Sequence, residues 1–175
     1  MVGLYCDFHA QQDQSTANML GAMLKQLANR GGIPEHTRKA FREAKKEFGG
    51  RGLLLPGMVD LLKETIKSLK LPRLFICIDA LDESTQKHRL DLIKSLRQIV
   101  QVSPGTRVLL TGRPHIGDEI LGCFSKVHWI PLSPTQSDIK SYLEMRLGDD
   151  HIPNAMNDEL RADIMRIIPE NILEM

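Results

Sequence analysis

The sequence lacks a long apolar run, an excess of either charge and a regular spacing of cysteines. No stretch of the 175 residues approaches the roughly 18 apolar residues that a membrane-spanning helix needs, and from its first residues we expect no signal peptide. A net charge of +1 gives no general attraction to nucleic acid. The three cysteines, Cys6, Cys77 and Cys123, suggest free thiols in a reducing compartment. These absences predict a cytoplasmic protein whose partners include neither a membrane nor a nucleic acid.

The chain does contain short apolar segments that alternate with helical patterns. Residues 2–8, 74–78, 106–111 and 127–132 have the composition of buried strands. Apolar strands that alternate with amphipathic helices imply an α/β fold with a parallel sheet covered by helices on both faces. Beyond residue 132 only helical patterns follow. We therefore predict an α/β core over residues 1–132 and the start of a helical subdomain over residues 133–175.

Apolar periodicity also predicts where the helices lie. A first helix is capped at Ser15 or Thr16 and ended by Gly31-Gly32, and a charged helix follows over 34–48 until the glycine-rich stretch 49–52 breaks it. The sequence Ser-Pro-Thr-Gln over 133–136 predicts a capping box with proline at the first helical position. The remaining apolar stripes span residues 58–69, 92–100, 116–121, 139–147 and 160–167.

The segment LFICIDALDE, residues 74–83, is an apolar strand that ends in acids. In open α/β sheets, ligands bind beyond the carboxyl ends of the strands, where Asp79, Asp82 and Glu83 all fall. A carboxylate at such a point suits Mg²⁺, which takes few protein ligands, and a second acid can orient or deprotonate an attacking water. Alternatively, Asp82 and Glu83 cap the following helix, because acids favour its N-terminal end. Spacing alone leaves both interpretations open.

Together with RVLLTGRP, residues 107–114, this segment resembles the second half of a NACHT-type nucleotide-binding domain. Such domains are STAND-class P-loop NTPases, here close to the nephrocystin-3-like N-terminal domains of fungal NOD-like receptors. The opening YCDFHAQQDQSTANMLGAMLKQL, residues 5–27, is similar to the stretch that follows the phosphate loop in those proteins. The resemblance covers nearly the whole chain. It implies a partial P-loop NTPase (ASCE/STAND) sheet, followed by a short all-helical segment.

The resemblance also implies roles for individual residues. Asp79 corresponds to the Walker B aspartate that acts on Mg²⁺, and Ala80 to the small residue that follows it. Asp82 and Glu83 match a displaced acidic pair, so one of them would position the hydrolytic water. Arg113 matches the sensor-1 arginine that meets the γ-phosphate of ATP. An arginine at a strand end can also be an ordinary salt-bridge partner of Asp79 or Asp82.

No string of the form G-x-x-x-x-G-K-[ST] occurs in the sequence. In that loop, backbone amides and a lysine hold the phosphates. In the family the loop precedes the part where this chain begins, so we expect the strand, loop and helix that carry it to be missing. The family strand order, 5-1-4-3-2, then places residues 2–8 at one edge, 74–78 next and 106–111 third. Residues 127–132 would lie beyond the gap, either detached or collapsed against 106–111.

The leading functional hypothesis is a fragment of a NACHT-type signalling switch. In the intact receptor the domain would bind ATP and Mg²⁺, hydrolyse ATP slowly and couple the nucleotide state to oligomerisation with protein partners. The chain alone is expected to be inactive in nucleotide binding. The alternative is a degenerate protein–protein interaction module that binds no nucleotide. A stand-alone Mg²⁺-dependent phosphohydrolase would need a nucleophile or a second metal cluster, and the sequence shows neither.

Overall fold

The computed structural model describes residues 1–47, 53–149 and 157–172, in two compact units, Met1–Val127 and His128–Met175. The expected helix break at 49–52 lies outside these residues. In the described part, the elements of the first unit are β1 (Val2–Tyr5), α1 (Thr16–Gly31), α2 (Glu35–Glu47), α3 (Leu55–Ser68), β2 (Leu74–Asp79), α4 (Gln86–Val102), β3 (Thr106–Leu110) and α5 (Gly117–Leu121). The second unit contains α6 (Gln136–Gly148) and α7 (Asp158–Ile172), which pack against each other.

The three strands form a parallel sheet in the order β1-β2-β3. Its register runs from Val2 opposite Ile76 to Tyr5 opposite Asp79 and, on the other side of β2, from Leu74 opposite Thr106 to Ile78 opposite Leu110. The α/β class and the expected order of these strands are therefore confirmed. Because the strands are parallel, their carboxyl ends meet at one edge of the sheet.

Helices α1, α3 and α4 pack on one face of this sheet. Leu74, Ile76 and Ile78 point into that face and are buried with the apolar stripes of the helices in one core. Burying each such side chain contributes about 1.5–3 kcal/mol. A one-residue slip of β2 would expose all three, so the core fixes the register of the strand.

Among the described residues of the first unit, no helix covers the opposite face of the sheet, so the expected helical cover is found on one face only. Tyr5, Phe75 and Leu109 alternate with the core side chains and are 70%, 47% and 57% exposed. The apolar composition of the strands predicted burial on both sides. The described helices of the first unit supply apolar side chains to one side only.

The two outer strands of the sheet, β1 and β3, differ in what their outward-facing backbone groups bond to. On the outer side of β1, the side-chain amide of Gln26 bonds to the backbone of Gly3 in place of a neighbouring strand. Its Nε2 donates to the Gly3 oxygen at 2.7 Å, and its Oε1 accepts from the Gly3 nitrogen at 2.9 Å. At β3 no further strand pairs within residues 1–47, 53–149 and 157–172. Edges of this kind are sites where another chain can add a strand.

Residues 127–132 form no strand, so that prediction was wrong, and they do not pair with the other three strands. Val127 packs at the margin of the core, while Trp129, Ile130 and Leu132 are exposed. A strand needs the N–H and C=O groups of a neighbour. Among the described residues no neighbour offers them to this segment.

Helix termini follow local capping chemistry. The Ser15 hydroxyl accepts from the Asn18 nitrogen at the start of α1, and Gly32, with φ 78°, ends that helix as expected. The capping box of α6 is formed by Thr135 and Asp138, not by residues 133 and 136. The carboxylate of Asp138 accepts from the Thr135 nitrogen at 2.9 Å, so the helix begins after the proline.

In the described part of the chain, no helix is both long and apolar enough to cross a bilayer.

Candidate functional site

The carboxyl edge of the sheet brings together the residues that the sequence singled out. Asp79 is the last residue of β2, and Asp82 and Glu83 lie in the 3-10 turn Leu81–Glu83 that follows it. Arg113 lies just beyond the end of β3. Because β2 and β3 are parallel neighbours, segments about 30 residues apart in sequence meet at one place.

The carboxylate of Asp79 is exposed and is oriented by Thr111. The Thr111 hydroxyl donates to Asp79 Oδ1 and accepts from the Ala80 nitrogen at 2.9 Å. Asp79 Oδ2 has no hydrogen-bond partner among the described residues. A carboxylate with one oxygen held and one open to solvent fits a hard cation that keeps most of its water, such as Mg²⁺. No group of three or more potential metal ligands occurs in the part of the chain that the structure describes.

Ala80 turns the chain sharply at the end of β2. Its backbone lies in the left-handed region, with φ 52° and ψ 44°, which is unfavourable for residues with a side chain. The turn directs the Leu81 nitrogen to the Thr111 oxygen at 2.9 Å. A small residue is therefore favoured here by backbone geometry, because a branched side chain would add strain.

Asp82 connects the two segments of the site. Its side chain is only 6% exposed, and its Oδ1 accepts from the Arg113 nitrogen at 3.2 Å, while Oδ2 lies 3.4 Å from Arg113 Nε. A Cβ on Gly112 would lie 3.2 Å from Asp82 Oδ1 and 2.7 Å from Ile116 Cδ1. Gly112 thus allows the carboxylate to approach the backbone closely. A serine there would require Ile116 to move.

Glu83 and Arg113 form the more accessible part of the site. Glu83 Oε1 lies 3.5 Å from Arg113 Nη2, with 27% and 72% of the two side chains exposed. Ion pairs on the surface contribute about 0–1 kcal/mol, so the pair with Glu83 adds little to holding the guanidinium in place. Arg113 therefore pairs with Asp82, one of the two partners that the salt-bridge interpretation named, and with Glu83, which it did not name. The capping interpretation is not supported, because α4 is preceded by Thr85 and has no side-chain cap.

The family model of the nephrocystin 3 N-terminal domain matches residues 1–113. The chain belongs to this family. The match extends from β1 to Arg113 and so includes the acids at the end of β2 and their arginine partner. No curated protein and no solved structure shows a significant match to the chain.

Two contacts of this nephrocystin 3 N-terminal domain had no signal in the sequence. Gln11, in the segment after β1, donates from Nε2 to the Glu83 oxygen at 2.6 Å. Arg89, in α4, donates from Nη1 to the Ser84 oxygen at 2.8 Å. Side chains from two other elements therefore bind two successive backbone carbonyl groups, those of Glu83 and Ser84. In the sequence, Gln11 and Arg89 look like any other polar residues of a loop and a helix, so they gave no indication of these contacts.

Cys6 lies beneath the site and is 1% exposed. Burial, followed by the nearby charges of Asp79 and Asp82, raises the pKa of the Cys6 thiol to about 11. A thiol with such a pKa is protonated at neutral pH. Cys6 therefore contributes to the core as a small, neutral side chain.

Proposed function

We propose that the chain carries the metal-binding and γ-phosphate-sensing half of a NACHT-type nucleotide switch of the fungal NOD-like receptor class. The observation that supports this most is the convergence of Asp79, Glu83 and Arg113 at the carboxyl edge of a parallel sheet. In the intact receptor, the domain binds ATP with Mg²⁺, hydrolyses it slowly and couples the nucleotide state to oligomerisation with protein partners. Since the sequence contains no phosphate-loop string, we propose that this chain alone does not hold nucleotide.

Each side chain has a distinct part in this proposal. Bound Mg²⁺ neutralises phosphate charge and holds the phosphates in place. Asp79 would hold the metal through its open oxygen, and the Thr111 hydroxyl fixes the orientation of the carboxylate. Glu83, partly exposed, orients a water and accepts its proton. Arg113 leaves its weak ion pairs to meet a phosphate anion.

Asp82 has a different part from Glu83 in this scheme. Its side chain is nearly buried and is engaged with both the backbone and the guanidinium of Arg113. A water-orienting base needs access to the water. We therefore assign the base role to Glu83 and give Asp82 the role of holding the Arg113 segment.

The alternative function is a protein-interaction module that binds no nucleotide. The open edge of β3 and the exposed Phe75 and Leu109 favour it, because such surfaces commonly bind other chains. In that case the acids and Arg113 serve only to tie the two loops together. The two functions differ in whether Asp79 binds a divalent cation.

Manganese provides a direct test on the chain as it is. Mn²⁺ replaces Mg²⁺ at oxygen ligands and broadens nearby NMR signals. We expect selective broadening of the amide signals of residues 79–84 and 111–113, and loss of this effect in Asp79→Asn. Asp60→Asn, an exposed acid on α3, is the matched control and should behave as the wild type. Broadening that is absent, or that persists in Asp79→Asn, would overturn the proposed metal site.

Joining the chain to a phosphate-loop segment tests the division of roles between the acids. Asp79→Asn is expected to weaken Mg²⁺-dependent ATP binding, because it removes a metal ligand. Glu83→Gln is expected to spare binding and slow hydrolysis, because it removes the water-orienting base. Equal loss of binding in both variants would contradict this assignment.

A further inference from the structure

Arg89 is a buried charged residue for which the proposed chemistry has no direct use. It is 7% exposed and lies in the first turn of α4. Its guanidinium donates from Nε to Glu119 Oε2 at 2.6 Å, from Nη2 to Glu119 Oε1 at 2.9 Å and from Nη1 to the Ser84 oxygen at 2.8 Å. All three nitrogens of the guanidinium therefore have an acceptor, which is the geometry that arginine provides and lysine does not.

The acceptors of Arg89 belong to the two loops that build the site. Ser84 follows Glu83 directly, at the end of the acidic turn. Glu119 lies in α5, which continues from the segment that begins at Arg113. The hydrogen bond from Arg89 holds the pKa of the Glu119 carboxyl below its usual value, so the pair is charged at neutral pH. The side chain of Arg89 therefore links the Ser84 oxygen, next to Glu83 in sequence, to helix α5, which follows Arg113.

We propose that Arg89 is a positioning residue of the candidate site and sets the separation of Glu83 from Arg113 by joining Ser84 to Glu119. The functional importance of that separation rests on the proposed function, but the contacts of Arg89 with Ser84 and Glu119 do not. A role in stability alone explains the arrangement less well. Buried ion pairs are often replaceable by apolar residues without loss of stability. A charged residue that also binds the Ser84 oxygen fixes a loop, which apolar packing would not do.

The experiment separates positioning from stability by hydrogen exchange on the chain without nucleotide. In the double variant Arg89→Met/Glu119→Leu, apolar contacts replace the ion pair, so that the fold retains its packing but the Ser84 oxygen loses its donor. We expect the Glu83, Ser84 and Arg113 amides to exchange about tenfold faster, as expected on losing one hydrogen bond to a charged group. The amides of the central strand β2 should keep their wild-type rates. Arg97→Met, an exposed arginine of the same helix, is the matched control.

Glu119→Gln is the second variant, and it decides the question if the double variant does not fold. It weakens the link to α5 and leaves the bond from Arg89 to the Ser84 oxygen, so the Arg113 amide should exchange faster while the Ser84 amide does not. Wild-type exchange at all three loop amides in a folded double variant, or in Glu119→Gln, would overturn the positioning role. Because no nucleotide or metal is present, failure of the proposed function would leave this result unchanged.

Discussion

The Thr111 hydroxyl bridges the end of β2, donating to the Asp79 carboxylate and accepting from the Ala80 nitrogen. It therefore fixes both the side chain that would meet a metal and the backbone turn that follows it. Partners that orient a metal ligand typically change metal affinity by about 10–100-fold when they are removed.

Thr111→Val keeps the shape of the side chain and removes the hydroxyl, so Mn²⁺ affinity should fall by at least about tenfold, because the Asp79 carboxylate is no longer oriented. Thr111→Ser retains the hydroxyl and should bind nearly as the wild type does. NMR titration of the chain measures both affinities. Equal affinities in Thr111→Val and the wild type would show that Asp79 needs no such support.

Ala80 should be sensitive to the shape of its replacement. Its left-handed backbone disfavours branched side chains, so Ala80→Val is expected to lower the free energy of unfolding by about 1–2 kcal/mol. Ala80→Gly relieves the strain and should not destabilise the chain. Urea unfolding of the three proteins measures the difference. A stable Ala80→Val variant would mean that the turn at the end of β2 relaxes.

Among the described residues, β3 has no further strand beside it and exposes Leu109, which should make the isolated chain self-associate. Leu109, on β3, is 57% exposed, and a charge on an edge strand opposes pairing with another chain. Leu109→Lys is therefore expected to reduce the apparent mass in concentration-dependent light scattering. Leu121→Lys is the matched control, because Leu121 on α5 is equally exposed but lies outside the sheet. If both variants reduce association equally, the sheet is not the surface involved.

Cys6 predicts a loss of stability at alkaline pH. Its thiol pKa is about 11 in the folded chain, above the usual 9.0, so the folded state favours the neutral thiol. Below pH 9 both states are protonated and the contribution of Cys6 is complete. Between pH 9 and 11 the unfolded state releases the proton first, and the stabilisation is lost. The free energy of unfolding should therefore fall less steeply in Cys6→Ala than in the wild type or in Cys77→Ala.

ATP binding by the chain alone should be weak or absent. The phosphate loop supplies most contacts to the β- and γ-phosphates, whereas Asp79 reaches the nucleotide only through Mg²⁺. Titration calorimetry with ATP and Mg²⁺ measures the affinity. A micromolar dissociation constant, retained in Arg113→Gln, would reveal a phosphate site outside the acidic edge.

Local sequence patterns determined the α/β class, the three strands and most helix positions. An apolar run such as residues 74–78 and a stripe such as that of α4 report the periodicity of their own backbone, which depends on neighbours in sequence. The same logic located Asp79 and Arg113 at strand ends. It failed for residues 127–132, whose composition suits a strand but which find no neighbouring strand in the described chain.

Contacts between distant segments depended on the tertiary structure. The side of the sheet that is covered, the Gln26 amide on Gly3 and the burial of Asp82 all require knowledge of how helices pack on strands. Thr111 and Asp79 lie 32 residues apart, and Arg89 and Glu119 lie 30 apart. Periodicity carries no information over such separations, because those distances are set by the packing of the intervening helices and strands. The sequence thus supplied the chemical groups, and packing decided which of them meet.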